Sequence, residues 1–150
     1  GTVGYVQVYP NSRNVIPGRV VFTVDFRHAD DAGLSRMDAR LRAACAAVQA
    51  EGRVQVDVQQ TVYYPPAHFA PELVAAVRHG AERAGLAHMD IVSGAGHDAV
   101  YVARTAPTSM IFVPCKDGIS HNEIEDAKPE HLAAGCNVLL HAMLEQAGVA

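Results

Sequence analysis

The sequence has few cysteines, no long apolar run and no excess of positive charge, and each absence excludes a class of protein. Its three cysteines, Cys45, Cys115 and Cys136, are odd in number and lack CxxC spacing. That pattern argues against a disulfide framework or a zinc ribbon and favours reduced thiols in a cytoplasmic protein. No apolar run approaches the roughly 20 residues that a membrane span needs. A net charge of −4 provides no basic face, so we expect neither a membrane nor a nucleic acid as partner.

The remaining composition is typical of a globular protein. The 150 residues are 49% hydrophobic and 19% charged, which is enough to bury one sizeable core. The chain opens directly in a strand-like run, TVGYVQVYP, without a start methionine. We therefore expect it to be a piece of a longer protein.

Residues 1–65 predict an incomplete α+β domain. The strand-like runs VGYVQVY and RVVFTVDFR are separated by the turn-rich segment PNSRNVIPG, which predicts a hairpin with a long connection. A helix follows, capped by Asp30 or Asp31 and ended by Glu51-Gly52. Residues 54–62 then alternate between apolar and polar, as a strand does. The order β-β-α-β resembles a ferredoxin-like (split-βαβ) domain that lacks its first strand and helix.

Residues 66–150 predict part of an α/β domain. The consecutive prolines of YYPPAHFAP cannot continue a helix or strand, so they mark the boundary. Beyond them we predict a helix from Pro71 to about Ala84, a short helix after SGAGHDA, a buried strand in TSMIFVP and a last helix from Pro129. The predicted inward residues of that last helix are Leu132, Cys136, Leu139, Leu140 and Met143. This order suggests one flank of a three-layer αβα domain.

The acidic segment CKDGISHNEIEDAKPEHL contains the first candidate for chemistry, His121. It follows a predicted strand and a tight turn, at the edge of a sheet where α/β folds place ligands. A neutral imidazole there can coordinate a divalent metal. The alternative is an ordinary solvated histidine in an acidic loop. Glu123, Glu125 and Asp126 are expected to be solvated or to cap the following helix.

The loop SGAGHDA is the second candidate. Its glycines allow a ligand to approach the backbone closely, and amides at a helix start favour an anion. The loop lacks the spacing and the lysine of a phosphate-binding loop, which argues against a nucleotide. His97 is either a group beside a ligand or a histidine hydrogen-bonded in the core, and its residue type favours the second.

Asn14 and Arg27 form the third candidate. Arg27 ends a predicted strand on the same face as Asp25, so an exposed Arg–Asp pair of little energetic value is one interpretation. The other is a guanidinium that binds a carboxylate through two hydrogen bonds, with the Asn14 amide as a further donor. The other histidines have no partners at a suitable spacing and are expected to be structural or solvated: His28, His68, His79, His88, His131 and His141.

Five motifs together resemble one family, the hydantoinase/carbamoylase-type amidases. They are PNSRNVIPG, FTVDFRH, SGAGHDA, MIFVPCKDGISHNE and LAAGCNVLLHAML, and in this order they cover essentially all of the chain. The family comprises N-carbamoyl-L-amino acid hydrolases, allantoate amidohydrolases and β-ureidopropionases. The resemblance is to the C-terminal part of such an enzyme. It implies an incomplete lid and dimerisation domain over residues 1–65 and a segment of the metal-dependent catalytic domain over 66–150.

The resemblance also implies roles for particular residues. His121 corresponds to a ligand of one of two divalent metal ions, which in such enzymes are Zn, Mn, Co or Ni. Asn14 and Arg27 correspond to residues that hold the substrate carboxylate. Ala95, Gly96 and His97 line the same pocket, where the backbone can offer amides. The other metal ligands and the general base have no counterpart here, so no catalytic residue is assigned and this chain alone is expected to be inactive.

The partners that the resemblance implies are a small ureido or carbamoyl amino acid, a second copy bound through the lid, and the missing N-terminal part of the enzyme. Two alternatives to a carbamoyl-amide hydrolase stay open. One is an aminoacylase or dipeptidase of the same superfamily. The motif PNSRNVIPG argues against it, because those relatives resemble this motif only in outline. The other is a non-catalytic module that binds carboxylates and dimerises.

Overall fold

The computed structural model describes residues 1–149, which form two compact units, Gly1–Pro66 and residues 67–149. The first unit contains β1 (Thr2–Tyr9), β2 (Arg19–Asp25) and α1 (Asp31–Ala50). The second contains α2 (Pro71–Arg83), α3 (Asp98–Val102), a 3-10 turn (Lys116–Gly118) and α4 (Pro129–Gln146). None of the helices described is both long enough and apolar enough to cross a bilayer.

Strands β1 and β2 form an antiparallel hairpin with a long connection, as predicted. Tyr5 pairs with Thr23 and Tyr9 with Arg19. The Gly18 N–H donates to the Tyr9 carbonyl at 3.0 Å and closes the connection over residues 10–18. The Arg19 guanidinium lies 4.3 Å from the centre of the Tyr9 ring, which adds a cation–π contact at the same end.

Helix α1 begins at the predicted cap. The Asp30 carboxylate accepts from the Gly33 N–H at 2.6 Å, which satisfies one of the free donors of the first turn. A Cβ added at Gly33 would clash with the His28 ring, so a larger residue there would displace His28 from the helix start. The helix ends at Ala50, and Gly52 just beyond its C-cap Glu51 has a left-handed φ of 75°, which suits glycine.

The predicted strand over residues 54–62 is wrong for the chain as described. Within residues 1–149 the sheet contains only β1 and β2, so this segment has no backbone partner, and a strand exists only where a ladder forms. Side chains hold it against α1 instead. Val56 N–H donates to Gln49 Oε1 at 2.9 Å, and the Tyr63 hydroxyl donates to Asp31. That hydrogen bond raises the pKa of Tyr63. The ferredoxin-like description stays a prediction.

In the second unit, α2 packs against α4 through small side chains. Ala76 and Ala81 of α2 are buried with Val138 and Ala142 of α4. A Cβ added at Gly80 would lie 2.9 Å from the Val138 carbonyl oxygen. The absence of a side chain at Gly80 therefore lets the backbones of α2 and α4 approach each other closely.

The predicted inward face of α4 is wrong. Leu132, Leu139, Leu140 and Met143 are about half exposed or more, at 49–61%, and Cys136 is also exposed. The buried face is the neighbouring one, through Val138 and Ala142, because α2 approaches where the side chains are smallest. Large apolar residues of α4 instead line an open groove of about 550 Å³ together with Leu73, Val77 and Met110.

The predicted strand in TSMIFVP also lacks a ladder partner among residues 1–149 and is not a strand there. It nevertheless lies where a buried strand would, beside α4. Thr108 accepts from the Ala70 N–H at 3.0 Å. A Cβ at Gly135 of α4 would come within 2.7 Å of Val113 Cγ1, so this glycine brings the helix onto the segment.

Replacing Gly80 with alanine is expected to destabilise the second unit even though alanine favours a helix by about 1 kcal/mol. The new methyl would meet a backbone carbonyl, which cannot rotate away, and overpacking of this kind costs about 1–3 kcal/mol. Gly135→Ala is the matched control, because its nearest neighbour is a side-chain methyl that can shift. Thermal unfolding of the complete protein that contains this chain should give a lower midpoint for Gly80→Ala than for Gly135→Ala. The reverse order would contradict the close crossing.

Candidate functional site

The hairpin connection holds Asn14 in a defined orientation. The Ser12 hydroxyl donates to Asn14 Oδ1 at 2.8 Å. Because the amide oxygen is engaged in this way, the Asn14 nitrogen is the end of the amide that can donate to a ligand. Both side chains belong to the exposed part of the connection. The geometry is therefore compatible with the predicted role of Asn14 as a hydrogen-bond donor.

Arg27 is held by Asp25 through two hydrogen bonds. Nε donates to Oδ1 and Nη2 donates to Oδ2, both at 3.0 Å. The two residues are neighbours on one face because side chains two positions apart in extended chain point the same way. The hydrogen bond lowers the pKa of Asp25 and raises that of Arg27. With side chains 61% and 51% exposed, the pair adds little to stability, and its main effect is to orient the guanidinium.

In the glycine-rich loop, Ser93 organises the residues that sequence analysis singled out. Its Oγ lies 2.6 Å from His97 Nε2 and accepts from the Ala95 N–H at 3.1 Å. The His97 ring is half-buried and meets the Phe112 ring edge-on, with centroids 5.5 Å apart. The Ala95 amide is thus engaged within the loop, contrary to the expectation that it is offered to a ligand. The sequence-based prediction did not include Ser93. Its position four residues before His97, in the same short loop, was the signal that the two side chains could meet.

His121 occupies an unusual backbone conformation. Its φ is 56°, in the left-handed region that residues other than glycine rarely adopt. Glu125 Oε2 accepts from the His121 N–H at 2.9 Å, and Lys116 N–H donates to the Asp126 carbonyl at 2.7 Å to close the loop. Such strain, of order 1–3 kcal/mol, persists where the surroundings impose it and is common at functional sites. The exposed imidazole is therefore presented from a backbone that is held in place.

The acidic residues around His121 have local roles. Glu125 binds the His121 backbone, and Asp126 Oδ1 accepts from the Ala127 N–H at 2.9 Å. Helix α4 has no side-chain cap and begins with Pro129 at its first position, where the missing N–H costs nothing. Of the two expectations for Glu123, Glu125 and Asp126, solvated side chains or a cap on α4, the structure agrees with the first: all three are exposed, and no side chain caps α4.

A complete metal site is not formed by the residues described. Across residues 1–149, no group of three or more histidine, cysteine, aspartate or glutamate side chains is placed to hold a metal ion. His121 has the chemistry and the exposure of one metal ligand. The candidate residues belong to different units: Asn14 and Arg27 to the first, and Ala95, Gly96, His97 and His121 to the second. The candidate residues thus fall into two groups, each within its own unit.

Comparison with known proteins identifies the family. The sequence pattern of peptidase family M20/M25/M40 matches residues 3–145. The chain belongs to this family. Among its relatives, the N-carbamoyl-L-amino-acid amidohydrolase of Rhizobium meliloti is 48% identical over 149 residues, which are 99% of this chain and 36% of the relative. The allantoate amidohydrolase of Escherichia coli (strain K12) is 38% identical over 138 residues, 92% of this chain and 34% of the relative.

A solved structure agrees with these relatives. The crystal structure of an amidase of the hydantoinase/carbamoylase family from Burkholderia multivorans is 63% identical, with a TM-score of 0.93 over 97% of this chain and 35% of that one. The resemblance to the hydantoinase/carbamoylase amidases is thereby confirmed, as is a mixed α and β fold. This chain spans about a third of the length of these proteins.

Proposed function

We propose that this chain is the C-terminal part of a two-metal amidohydrolase that cleaves the C–N bond of a carbamoyl or ureido group. Its substrates are N-carbamoyl-L-amino acids or related ureido acids such as allantoate. The observation that carries the proposal is the match of nearly the whole chain to an N-carbamoyl-L-amino-acid amidohydrolase and an allantoate amidohydrolase. The substrates in those two names share a ureido group and a carboxylate, and the chain has residues suited to both.

The carboxylate of the substrate is bound by the first unit in this proposal. Arg27 supplies charged N–H donors, and a guanidinium binds a carboxylate through two parallel hydrogen bonds. Asn14 supplies one more donor from its amide nitrogen, whose orientation Ser12 sets. Fixing the carboxylate at one end of a small substrate determines where the ureido group lies, which is how positioning residues lower the barrier of a reaction.

The candidate residues of the second unit have roles of their own in this proposal. His121 is one metal ligand, and Gly96 and His97 line the pocket, with Ser93 holding the His97 ring. A pair of divalent ions, Zn, Mn, Co or Ni, would polarise the ureido carbonyl when bound and would lower the pKa of a water. The remaining ligands and the general base come from outside this chain. The chain alone is therefore inactive in this proposal.

The two units have different roles in the proposed enzyme. Residues 1–65 form a lid that also joins two copies into a homodimer, and residues 66–150 complete the metal-dependent catalytic domain.

The three cysteines are free in the structure, and we place the enzyme in the cytoplasm, where thiols stay reduced.

The direct test measures hydrolysis by the complete protein that contains this chain. We expect ammonia release from N-carbamoyl-L-amino acids or allantoate, activity that a chelator removes and divalent metal restores. N-acetyl-L-amino acids and dipeptides are the comparison substrates, since an aminoacylase or dipeptidase would use those instead. Turnover of the comparison substrates alone would overturn the ureido assignment.

Replacing Arg27 with lysine in the complete protein is expected to weaken substrate binding by roughly 1.5–3 kcal/mol, the value of a hydrogen bond to a charged group. Lysine keeps the charge but loses the planar pair of donors. The matched control is Arg42→Lys, because Arg42 pairs with Asp38 at 2.8 Å on α1, outside the proposed site. Steady-state kinetics should show a raised KM for Arg27→Lys only. An unchanged KM would contradict carboxylate binding by Arg27.

A further inference from the structure

The Ser93 hydroxyl makes two contacts at once in the glycine-rich loop. Its oxygen accepts from the Ala95 N–H at 3.1 Å and lies 2.6 Å from His97 Nε2. A hydroxyl carries one proton and two lone pairs, so Ser93 can accept from Ala95 and still donate to His97. The separation of 2.6 Å agrees with this direction, since hydroxyl donors make bonds of about 2.5–3.0 Å and N–H donors longer ones, of about 2.7–3.2 Å. We therefore assign Ser93 as the donor and His97 Nε2 as the acceptor.

This hydrogen bond determines which side of the His97 ring is left for a ligand. A neutral imidazole that accepts at Nε2 carries its proton on Nδ1. The ring is also fixed by Phe112, which meets it edge-on with centroids 5.5 Å apart. His97 precedes α3 at its N-cap, yet its side chain does not cap that helix. The imidazole is thus held by the loop and by Phe112, with Nδ1–H as the group that can donate to a ligand.

We propose that Ser93 is a positioning residue that holds His97 so that Nδ1–H donates to an oxygen of the substrate. The inference rests on the proposed function, in which His97 lines the substrate pocket. Both the ureido carbonyl and the carboxylate of an N-carbamoyl amino acid offer oxygens that accept a hydrogen bond. Ser93 acts through His97 and does not itself contact the substrate.

The experiment measures kcat/KM for N-carbamoyl-L-alanine in the complete protein. Ser93→Ala should lower kcat/KM about three- to tenfold, the value of one net hydrogen bond. Ser93→Thr keeps the hydroxyl at an exposed position where a methyl has room, and should stay within about twofold of the unmodified protein. Thr105→Ala is the matched control, because it removes another exposed hydroxyl of the same unit, one that donates to the Val102 carbonyl. An unchanged value in Ser93→Ala, or an equal loss in Ser93→Thr, overturns the inference.

A double-mutant cycle with His97→Ala separates positioning of His97 from support of the loop. If Ser93 acts through the imidazole, Ser93→Ala should cause no further loss once the imidazole is gone. If it acts through the Ala95 N–H instead, Ser93→Ala should lower kcat/KM by the same factor in both backgrounds, and that result overturns the inference. Where His97→Ala is too slow to assay, calorimetric binding of N-carbamoyl-L-alanine to the four metal-free proteins replaces kcat/KM. Equal weakening in both backgrounds then has the same meaning.

The outcomes also separate this inference from the function on which it rests. Failure of the unmodified protein to hydrolyse either N-carbamoyl-L-alanine or allantoate overturns the proposed function, and the inference with it. Hydrolysis that Ser93→Ala leaves unchanged keeps the proposed function standing and removes only the role of Ser93.

Discussion

Replacing His121 with alanine in the complete protein is expected to lower the bound metal and abolish turnover while leaving the fold nearly intact. The imidazole is exposed, so its removal takes little from a core, whereas a two-metal site needs every ligand to hold both ions. Metal analysis of the purified variant, together with an assay on N-carbamoyl-L-amino acids, measures both effects. Two full equivalents of metal with near-normal activity would show that His121 is only a solvated loop residue.

The left-handed backbone at His121 calls for a second substitution. Alanine at a φ of 56° carries a strain of its own, so loss of metal in His121→Ala has two possible causes. Asparagine tolerates this conformation better than most residues and removes the imidazole. His121→Asn should lose metal equally, which isolates the ligand from the backbone. His88→Ala, in the exposed segment after α2, is the control and should keep both metal and activity.

The isolated 150-residue chain is expected not to be a stable monomer. It exposes 11661 Å² of surface, whereas two separate compact units of about 8 kDa each would together expose only about 8,900 Å². The buried apolar side chains of the residues described are small, namely Ala76, Ala81, Val138 and Ala142. Large ones such as Phe22 and Met143 are 51% and 61% exposed. Apolar surface of this extent is normally covered by other protein.

Unpaired strand edges add to this instability. Strands β1 and β2 pair only with each other within residues 1–149, so both outer edges of the hairpin present free backbone groups that recruit other chains. We expect dimers or larger assemblies in size-exclusion chromatography with light scattering, and a broad thermal transition. Co-expression with the rest of the protein should restore a sharp, cooperative one. A single monomer peak with a cooperative melt of the isolated chain would contradict the prediction.

The sequence was a good guide to helices and a poor one to their contacts. Helix α2 begins at Pro71 and α1 at the Asp30 cap, as predicted, because these signals act within one turn of the chain. The buried face of α4 was predicted wrongly, since apolar periodicity favoured Leu139 and Met143. The close approach at Gly80 selected the small residues Val138 and Ala142 instead. Which face is buried depends on the neighbouring element, which periodicity alone does not identify.

The candidate site divides in a similar way. The proximity of Asp25 and Arg27 followed from their spacing in extended chain, and the motif around His121 indicated a possible ligand. The hydrogen bonds from Ser93 to His97 and to the Ala95 amide were not predicted. They depend on how a flexible glycine-rich loop closes on itself, and several closures are compatible with the same residues.

By itself, then, the sequence determined what depends on neighbours along the chain: the helix starts, the hairpin, the Asp25–Arg27 pair and the motifs that resemble the hydantoinase/carbamoylase amidases. The tertiary structure decided what depends on partners distant in sequence. It showed that Val56 and Tyr63 are held by side chains of α1 rather than by a sheet, and that α4 buries its small face. Local signals act through a few adjacent backbone torsions and hydrogen bonds, whereas ladders and buried faces exist only once a second element is in place.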